Sequence, residues 1–406
     1  MQKFEKHSPV VVTEVTTKHE LRQFMQYPNR LYADNPNYIP SFYGDDLSDW
    51  TPGKNPAFDY CEARCWLARR DGEIVGRIGA ILSHKANDKF GTHRMRFSQV
   101  DFVDDSEVSA ALFGTVERWA REKGCDQVHG PLGFTDMDRE GMLVEGFDRR
   151  SLFFTNYNAP YYLEHLTRLG YRKDVDWIEY RITVPEPGGA EAERLHKLSE
   201  FILKRKHLHV ATVHHKSEYG PFVRQVFELV NAAYAPLYGV VELSDEQIER
   251  YANKFIPLVD PDFVCFVVDE QDQLVAFGVT ALDPSVALKH SDGRLFPFGW
   301  AGVLNDLHHS DTLIMLLTAV RPDLQAEGIN AVMMDHVCQS CNRHGVRFAE
   351  TGPMLELNDH ILAQWKRLEK EQHKRRRCFL KDLDHDVNAA NAAAAQTETP
   401  ETESAE

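Results

Sequence analysis

The segment Leu313–Val332, LIMLLTAVRPDLQAEGINAV, reads as a buried strand, a polar turn from Arg321-Pro322 and a helix starting near Gly328. At such a junction the first N–H groups of the helix have no intrahelical acceptor and carry the positive end of its dipole. That makes a site for pyrophosphate, and glycine lets the backbone approach it without a Cβ in the way. Arg321 either pairs with phosphate oxygens or is an ordinary surface arginine. A second group lies in the first half of the chain, where Asp136, Asp138, Glu140, Glu145 and Asn156 surround the stretch GMLVEGF. On a loop above a sheet these side chains would hold an amine or polyol, and a solvated loop explains them equally well. Cys338-x-x-Cys341 supplies half the ligands of a structural zinc and has no second pair, while His214-His215 and His308-His309 have no HExxH-type partner. No metal is expected.

The elements that position these residues come in two copies. Cys65–Leu82 and Cys265–Leu282 align without a gap at an offset of 200 residues, each an apolar strand, a polar turn and a second apolar strand. Val108–Gly124 and Ala331–Gly345 are both helices that end in glycine, each followed by a short strand and a Gly-Pro pair. Asn158 and Asn358 each open a further helix, and final strands follow at Trp177–Val184 and Arg377–Leu380. Helices over Leu21–Tyr32 and Tyr43–Trp50 precede the first hairpin; Val223–Tyr234 and Asp245–Phe255 precede the second. The breaker cluster Pro185–Gly189 separates the copies. The expected organisation is therefore a first domain over 1–185, a second over 186–383 and an acidic tail over 384–406, too poor in large apolar residues to order.

The first copy has no phosphate turn. Its strand Met95–Val103 runs through Asp104-Asp105-Ser106-Glu107 into the helix, and carboxylates there cap the helix and repel phosphate. Helix Ala190–Lys206 ends in Lys204-Arg205-Lys206; it either touches a membrane surface or packs its apolar face on the body with cations at its C-terminal dipole.

A formal charge of −16 argues against nucleic-acid binding, which needs a basic face. The first residues lack the pattern of a signal peptide, and the longest apolar run is far short of a membrane span. Seven scattered cysteines make no disulfide framework. A cytoplasmic protein is the expectation.

The turn resembles the acyl-CoA signature of the GNAT superfamily, Arg/Gln-x-x-Gly-x-Gly/Ala after a strand ending in valine, met here as Val320 and Gln325-Ala326-Glu327-Gly328-Ile329-Asn330. Asn330 departs from the usual Gly or Ala. The whole folded region resembles the two-domain GNAT proteins grouped with bacterial ceramide synthases, through Asn37–Pro40, Lys54–Phe58, Gly76–Ile78, Gly141–Phe147, Tyr157–Tyr162, Tyr238–Val241 and Leu355–Asn358.

The resemblance implies an α/β (α+β) fold of two tandem GNAT-like domains, each a mixed, mainly antiparallel splayed sheet flanked by helices. It implies acetyl-CoA or a longer acyl-CoA as co-substrate, held by Ala319, Val320, Arg321, Gln325–Asn330 and Asn358 in the second domain. The implied activity is acyl transfer to a small-molecule amine, in one variant a long acyl chain to a sphingoid or other lipid amine. Such a reaction needs a base, an oxyanion donor and an acid. The base would be Glu350 or Glu356, and the donor a backbone N–H near Leu317–Ala319. The family's acid is a tyrosine where this chain has Trp365 (His165 in the first half), leaving water, Tyr234 or Tyr238 to protonate the thiolate. Glu140, Glu145, Asn156 and Tyr238 are the residues expected to face the acceptor. The alternative is a non-catalytic GNAT-fold binding or assembly protein.

Overall fold

The computed structural model describes residues 8–383. The first half contains β1 (Val11–Glu14), α1 (Lys18–Leu31), α2 (Tyr43–Asp49), β2 (Cys61–Arg70), β3 (Glu73–Ser83), α3 (His84–Phe90), β4 (Arg94–Phe102), α4 (Ser106–Glu122), β5 (Gln127–Gly130), β6 (Met142–Glu145), α5 (Tyr162–Arg168) and β7 (Arg172–Thr183). The second contains α6 (Ala190–Lys206), β8 (His209–Val210), α7 (Gly220–Tyr234), α8 (Asp245–Phe255), β9 (Val264–Val268), β10 (Leu274–Leu282), α9 (Ser285–His290), α10 (Gly299–His309), β11 (Thr312–Val320), α11 (Asn330–His344), β12 (Phe348–Glu350), β13 (Met354–Leu355), α12 (Asp359–Ala363) and β14 (Lys370–Asp382). The tail read as disordered, residues 384–406, lies outside the described residues.

Local chemistry sets the helix ends. Thr17 and Glu20 form a capping box on α1, Ser244 and Gln247 another on α8, and Asp105 caps α4 as its carboxylate position implies. Gly345 ends α11 in the left-handed conformation. Two apolar faces, α4 in the first half and α11 with α6 in the second, close over opposite ends of one large, mostly antiparallel sheet.

That sheet runs β1-β2-β3-β4-β5-β14-β7-β12-β11-β10-β9-β8. The order differs from two separate sheets in one respect: the halves exchange their last strands. β14, from the second half, pairs with β5 of the first, and β7, from the first, pairs with β12 of the second. Periodicity shows which face of a strand is buried and is silent on which strand lies beside it.

The exchanged strands meet over a buried ionic cluster. Glu179 on β7 faces Lys374 on β14, and the side chains of Glu179, Lys374 and Arg376 are all 0% exposed. Arg376 Nε lies 2.5 Å from Glu179 Oε1 and Lys374 Nζ 3.5 Å from Glu179 Oε2. Removing this carboxylate leaves Arg376 without an anion and Lys374 with Glu350 alone at 3.4 Å, and breaking a buried pair in this way costs about 3–5 kcal/mol. Glu179→Gln is therefore expected to destabilise the full chain by that amount, as equilibrium unfolding in urea will measure.

Two further features bear on the sequence reading. Residues 285–309 form α9 and α10 between β10 and β11; α9 stands where the first half has α3, α10 has no counterpart there, and none of the three was read from the sequence. The basic helix α6 buries Leu195 and Ile202 in the same core as α11, so its apolar stripe is used on the body of the protein.

Candidate active site

The site starts at a parting of strands. β11 pairs with β12 only from Thr312 to Ile314, while β11 itself continues to Val320. Past Ile314 the β12 side of β11 has no strand beside it. The β10–β11 register slips where Thr280 faces Met315 and Val279 faces Leu317, so Leu316 is the extra residue of a bulge at the mouth of this opening. A bulge re-aims side chains and backbone amides, and Met315–Thr318 are partly exposed in the middle of an otherwise buried sheet.

Two cavities meet at that bulge. One, of about 190 Å³, runs along the α11 side between Asn330, Met333 and Met334 and the opposing Gly352-Pro353 and Trp365. The other, of about 240 Å³, lies on the α7–α8 side, walled by Val223, Val226, Phe227, Phe255 and Phe266. Tyr234, Val279, Leu316, Leu317, Gly352 and Pro353 line both.

The first cavity leads to the sequence-identified turn. After β11 a single 3-10 turn, Pro322–Leu324, precedes Gln325. Ala326 and Gly328 follow with φ of 64° and 85°, the left-handed conformations that fold the backbone into a cradle. Among the described residues, the amides of Ala326, Gly328, Ile329 and Asn330 have no hydrogen-bond acceptor. A Cβ on Gly328 would stand 3.0 Å from Ile202 Cδ1 of α6, so the cradle is closed behind by that helix. The basic end of α6 lies beside it, with Lys206 Nζ 2.7 Å from Glu327 Oε2. Arg321 is held by Asp323 at 2.8 Å and Asp269 at 3.8 Å. Free amides, a glycine at the closest approach and flanking cations fit a pyrophosphate. Asn330 has helical backbone here and lines the channel, so the departure from Gly or Ala leaves the cradle intact.

The second cavity has an acidic end. Asp136, Asp138 and Glu140, on the loop before β6, reach across from the first half to line it. None of the three has a cation within ion-pairing distance among the described residues. Asp138 is held by the Phe134 amide at 2.8 Å and the Tyr251 hydroxyl at 3.2 Å. Asp136 Oδ1 is buried with no hydrogen-bond partner. Burial pushes the Asp136 carboxyl up to about 6, with Asp138 adding repulsion, and burial likewise raises Asp138 and, strongly, Glu140. Tyr234, at the end of α7, stands at the junction and donates its hydroxyl to the Thr318 carbonyl at 2.7 Å. Burial raises its pKa, and the Asp136 charge raises it further.

Other residues singled out in the sequence lie elsewhere. Glu350 lines neither cavity; its Oε2 is 3.4 Å from Lys374 Nζ, with its pKa raised by burial against the lowering effect of that lysine. Glu356 is bound by Lys173 and, at 2.8 Å, Arg375. Asn358 caps α12 through the Ile361 amide at 3.3 Å. Glu145 is exposed beside Arg375, 3.4 Å away, and Asn156 lines a small polar pocket with Arg77, Asp101 and Arg139. Ala319 is buried under α7, and Val320 accepts from Gln325 Nε2 at 3.3 Å. Tyr238 is embedded where His129, Asp174 and Cys378 approach within 4.8 Å of one another, and its hydroxyl reaches Asp174 at 2.5 Å and His129 at 3.0 Å. Trp365 is buried in the channel wall, its indole N–H on Met354 Sδ at 3.2 Å. The bulge at Leu316 had no signal in the sequence, because an extra residue in an apolar run leaves the run apolar.

No protein-family model matches the chain. Among solved structures it superposes on a tandem GNAT protein from the clavulanic acid biosynthesis pathway with a TM-score of 0.52 at 13% identity, covering 92% of this chain and 99% of that one. A GCN5-related N-acetyltransferase from Sphaerobacter thermophilus gives 0.50 at 13% identity, covering 92% and 96%. Likenesses at that identity concern the fold. With the splayed strands and the bulge, they give this chain a fold of two tandem GNAT-like halves. It is similar in particular to protein YghO of Escherichia coli strain K12, 27% identical over 379 residues, 92% of this chain and 95% of that protein. It is also 28% identical over 300 residues to the bacterial ceramide synthase of Caulobacter vibrioides, 72% of this chain and 75% of that one. Among the described residues no helix is long and apolar enough to cross a membrane.

Proposed function

We propose that the chain is an N-acyltransferase that takes an acyl group from acyl-CoA and gives it to an amine carrying an apolar tail. The observation that carries this reading is the junction at Leu316–Leu317, where a channel from the phosphate cradle meets an apolar cavity with an acidic end. The bound thioester supplies an activated carbonyl. The cradle amides and the cations of α6 and Arg321 hold the phosphates, while the channel walls keep water from the thioester. The open edge of β11 past Ile314 offers backbone N–H groups to the oxyanion.

On the other side, the Asp136 carboxylate attracts an ammonium, Asp138 and Glu140 offer it oxygen acceptors, and Val223, Val226, Phe227 and Phe255 take its hydrocarbon. Asp136, ionised at neutral pH yet pushed up to about 6, accepts the ammonium proton and frees the amine for attack. Tyr234 is the acid for the departing thiolate, in place of a tyrosine at the Trp365 position. A sphingoid or similar long-chain amine matches this combination of charge and apolar wall, as does the name of the Caulobacter relative. Reading Asp136 rather than Glu350 or Glu356 as base follows from the ion pairs that occupy the latter two.

Thiol release from acyl-CoA in the presence of primary amines of increasing chain length tests the proposal. A rate that rises with amine length is expected, and equal, background-level rates with every amine would refute it. Tyr234→Phe should reduce kcat by roughly 10²-fold with little change in KM, since removing one proton donor has that scale of effect. Steady-state rates measured on the two forms give that ratio directly.

A further inference from the structure

The α9–α10 segment exposes apolar side chains in a concentration found nowhere else among the described residues. Phe296 and Phe298 are each 80% exposed, Val286 48%, Trp300 47% and Leu304 45%, so half of the exposed large hydrophobics lie within Val286–Leu304. The tip is not a loose loop. Tyr43 N donates to Gly293 O at 3.0 Å and Asn29 Nδ2 to Asp292 O at 3.1 Å. Lys289 Nζ donates to Asn35 O at 2.8 Å, and Arg294 lies over the Tyr43 ring at 5.5 Å. The aromatics are thus presented to solvent from a fixed base. The buried face of the same segment, Ala287, Leu288 and Val303, belongs to a cluster with Phe154 and Leu316, which also line the acidic-ended cavity.

Charge favours a lipid surface as the occupant. The chain carries −16 overall, whereas residues 285–310 balance Lys289 and Arg294 against Asp292 and Asp306 and add exposed His290, His308 and His309. An anionic lipid surface would repel most of this protein and would not repel this face. Shape points the same way. Phe296, Pro297 and Phe298 project from a turn between two helices, and Trp300 follows with its indole N–H on the Pro297 carbonyl at 3.1 Å. A turn that presents Phe296, Phe298 and Trp300 together suits the headgroup–acyl boundary where Trp and Phe settle.

We propose that the α9–α10 tip docks the protein on a phospholipid bilayer, with Phe296, Phe298 and Trp300 inserted at the interface. The inference stands apart from the acyl-transfer reading, since it concerns another surface and its test needs no turnover. Full-length protein is sedimented with vesicles of phosphatidylcholine alone and with added phosphatidylglycerol. Co-sedimentation of the unmodified chain is expected, reduced ~10-fold or more in Phe296→Ser/Phe298→Ser and unchanged in Val11→Ser, whose residue is exposed on β1. Trp300 emission, taken as the difference from Trp300→Phe, should shift to the blue with vesicles. No binding of the unmodified chain to either vesicle would overturn the proposal, as would equal binding by the double variant. So would a dimer in sedimentation velocity that the double variant dissociates without any vesicle binding, since a second copy would then cover the tip.

Discussion

Gly328→Glu is expected to weaken acyl-CoA binding ~100-fold or more while leaving the protein folded. The position combines two constraints: φ is 85°, and a Cβ would meet Ile202 at 3.0 Å. The left-handed backbone costs a non-glycine residue roughly 1–2 kcal/mol, which a protein of this size tolerates. The neighbour is the end of an isoleucine side chain, which shifts readily. The loss in binding is larger, because a backbone shifted off the left-handed conformation re-aims the amides of Ala326, Gly328, Ile329 and Asn330, and the added negative charge beside them repels phosphate. Hydrogen bonds to a charged group contribute about 1.5–3 kcal/mol each, and losing two of them gives the stated factor. Calorimetric titration with acetyl-CoA, palmitoyl-CoA and free CoA measures it, and a parallel thermal melt separates lost binding from lost fold. Binding equal to that of the unmodified chain would remove the turn from the site.

Asp136→Asn is expected to move activity and stability in opposite directions. As general base the carboxylate must be ionised, so kcat/KM should rise with pH through about 6 and the variant should lose that limb. The rate should fall by ~10²–10⁴-fold, the usual range for a positioned base. The folded pKa of about 6 lies above the unfolded value near 3.8, so the ionised form opposes folding at every pH above both. A gap of about two pH units between the folded and unfolded values corresponds to ~3 kcal/mol at neutral pH, and the amide, which cannot ionise, escapes that cost. A variant that melts higher and turns over more slowly is the signature of a group strained for chemistry. A pH–rate profile and a thermal melt of the two forms are sufficient to check it. A variant that retains full activity would return the base to the other carboxylates.

The helices read from the sequence agree with the structure to within a turn: α6 and α8 match their sequence bounds residue for residue, since each pairs a stripe of apolar positions with capping or breaker residues, whereas the short α3 was not read. The hairpins β2–β3 and β9–β10 were legible from alternation interrupted by polar turns. The exchange of β7 and β14 was not, because a strand buried on both faces carries no mark of its neighbour. Nor was the α9–α10 segment, whose short helices are broken by Asp292-Gly293 and Pro297 and whose exposed aromatics blur the helical period. Of the proposed site, the strand, turn and helix start were readable because an apolar run, Arg321-Pro322 and Gly328 stand in one order. Asp136 was visible only as one acid among several; what sets it apart, a buried oxygen without a partner, comes from loop packing across the halves. Lys204–Lys206 read as a helix terminus, and its place beside the phosphate cradle depends on α6 packing against α11.

On the proposed function, the two cavities are the donor and acceptor sides of one reaction centre joined at Leu316–Leu317. The most direct test incubates the full chain with palmitoyl-CoA and a long-chain primary amine and follows the amide by mass spectrometry. Amide is predicted only when both partners are present, and its formation should be lost in Gly328→Glu and Asp136→Asn alike. Thioester binding at the turn without amide from any long-chain amine would contradict the account and leave a fold that holds acyl-CoA without transferring from it.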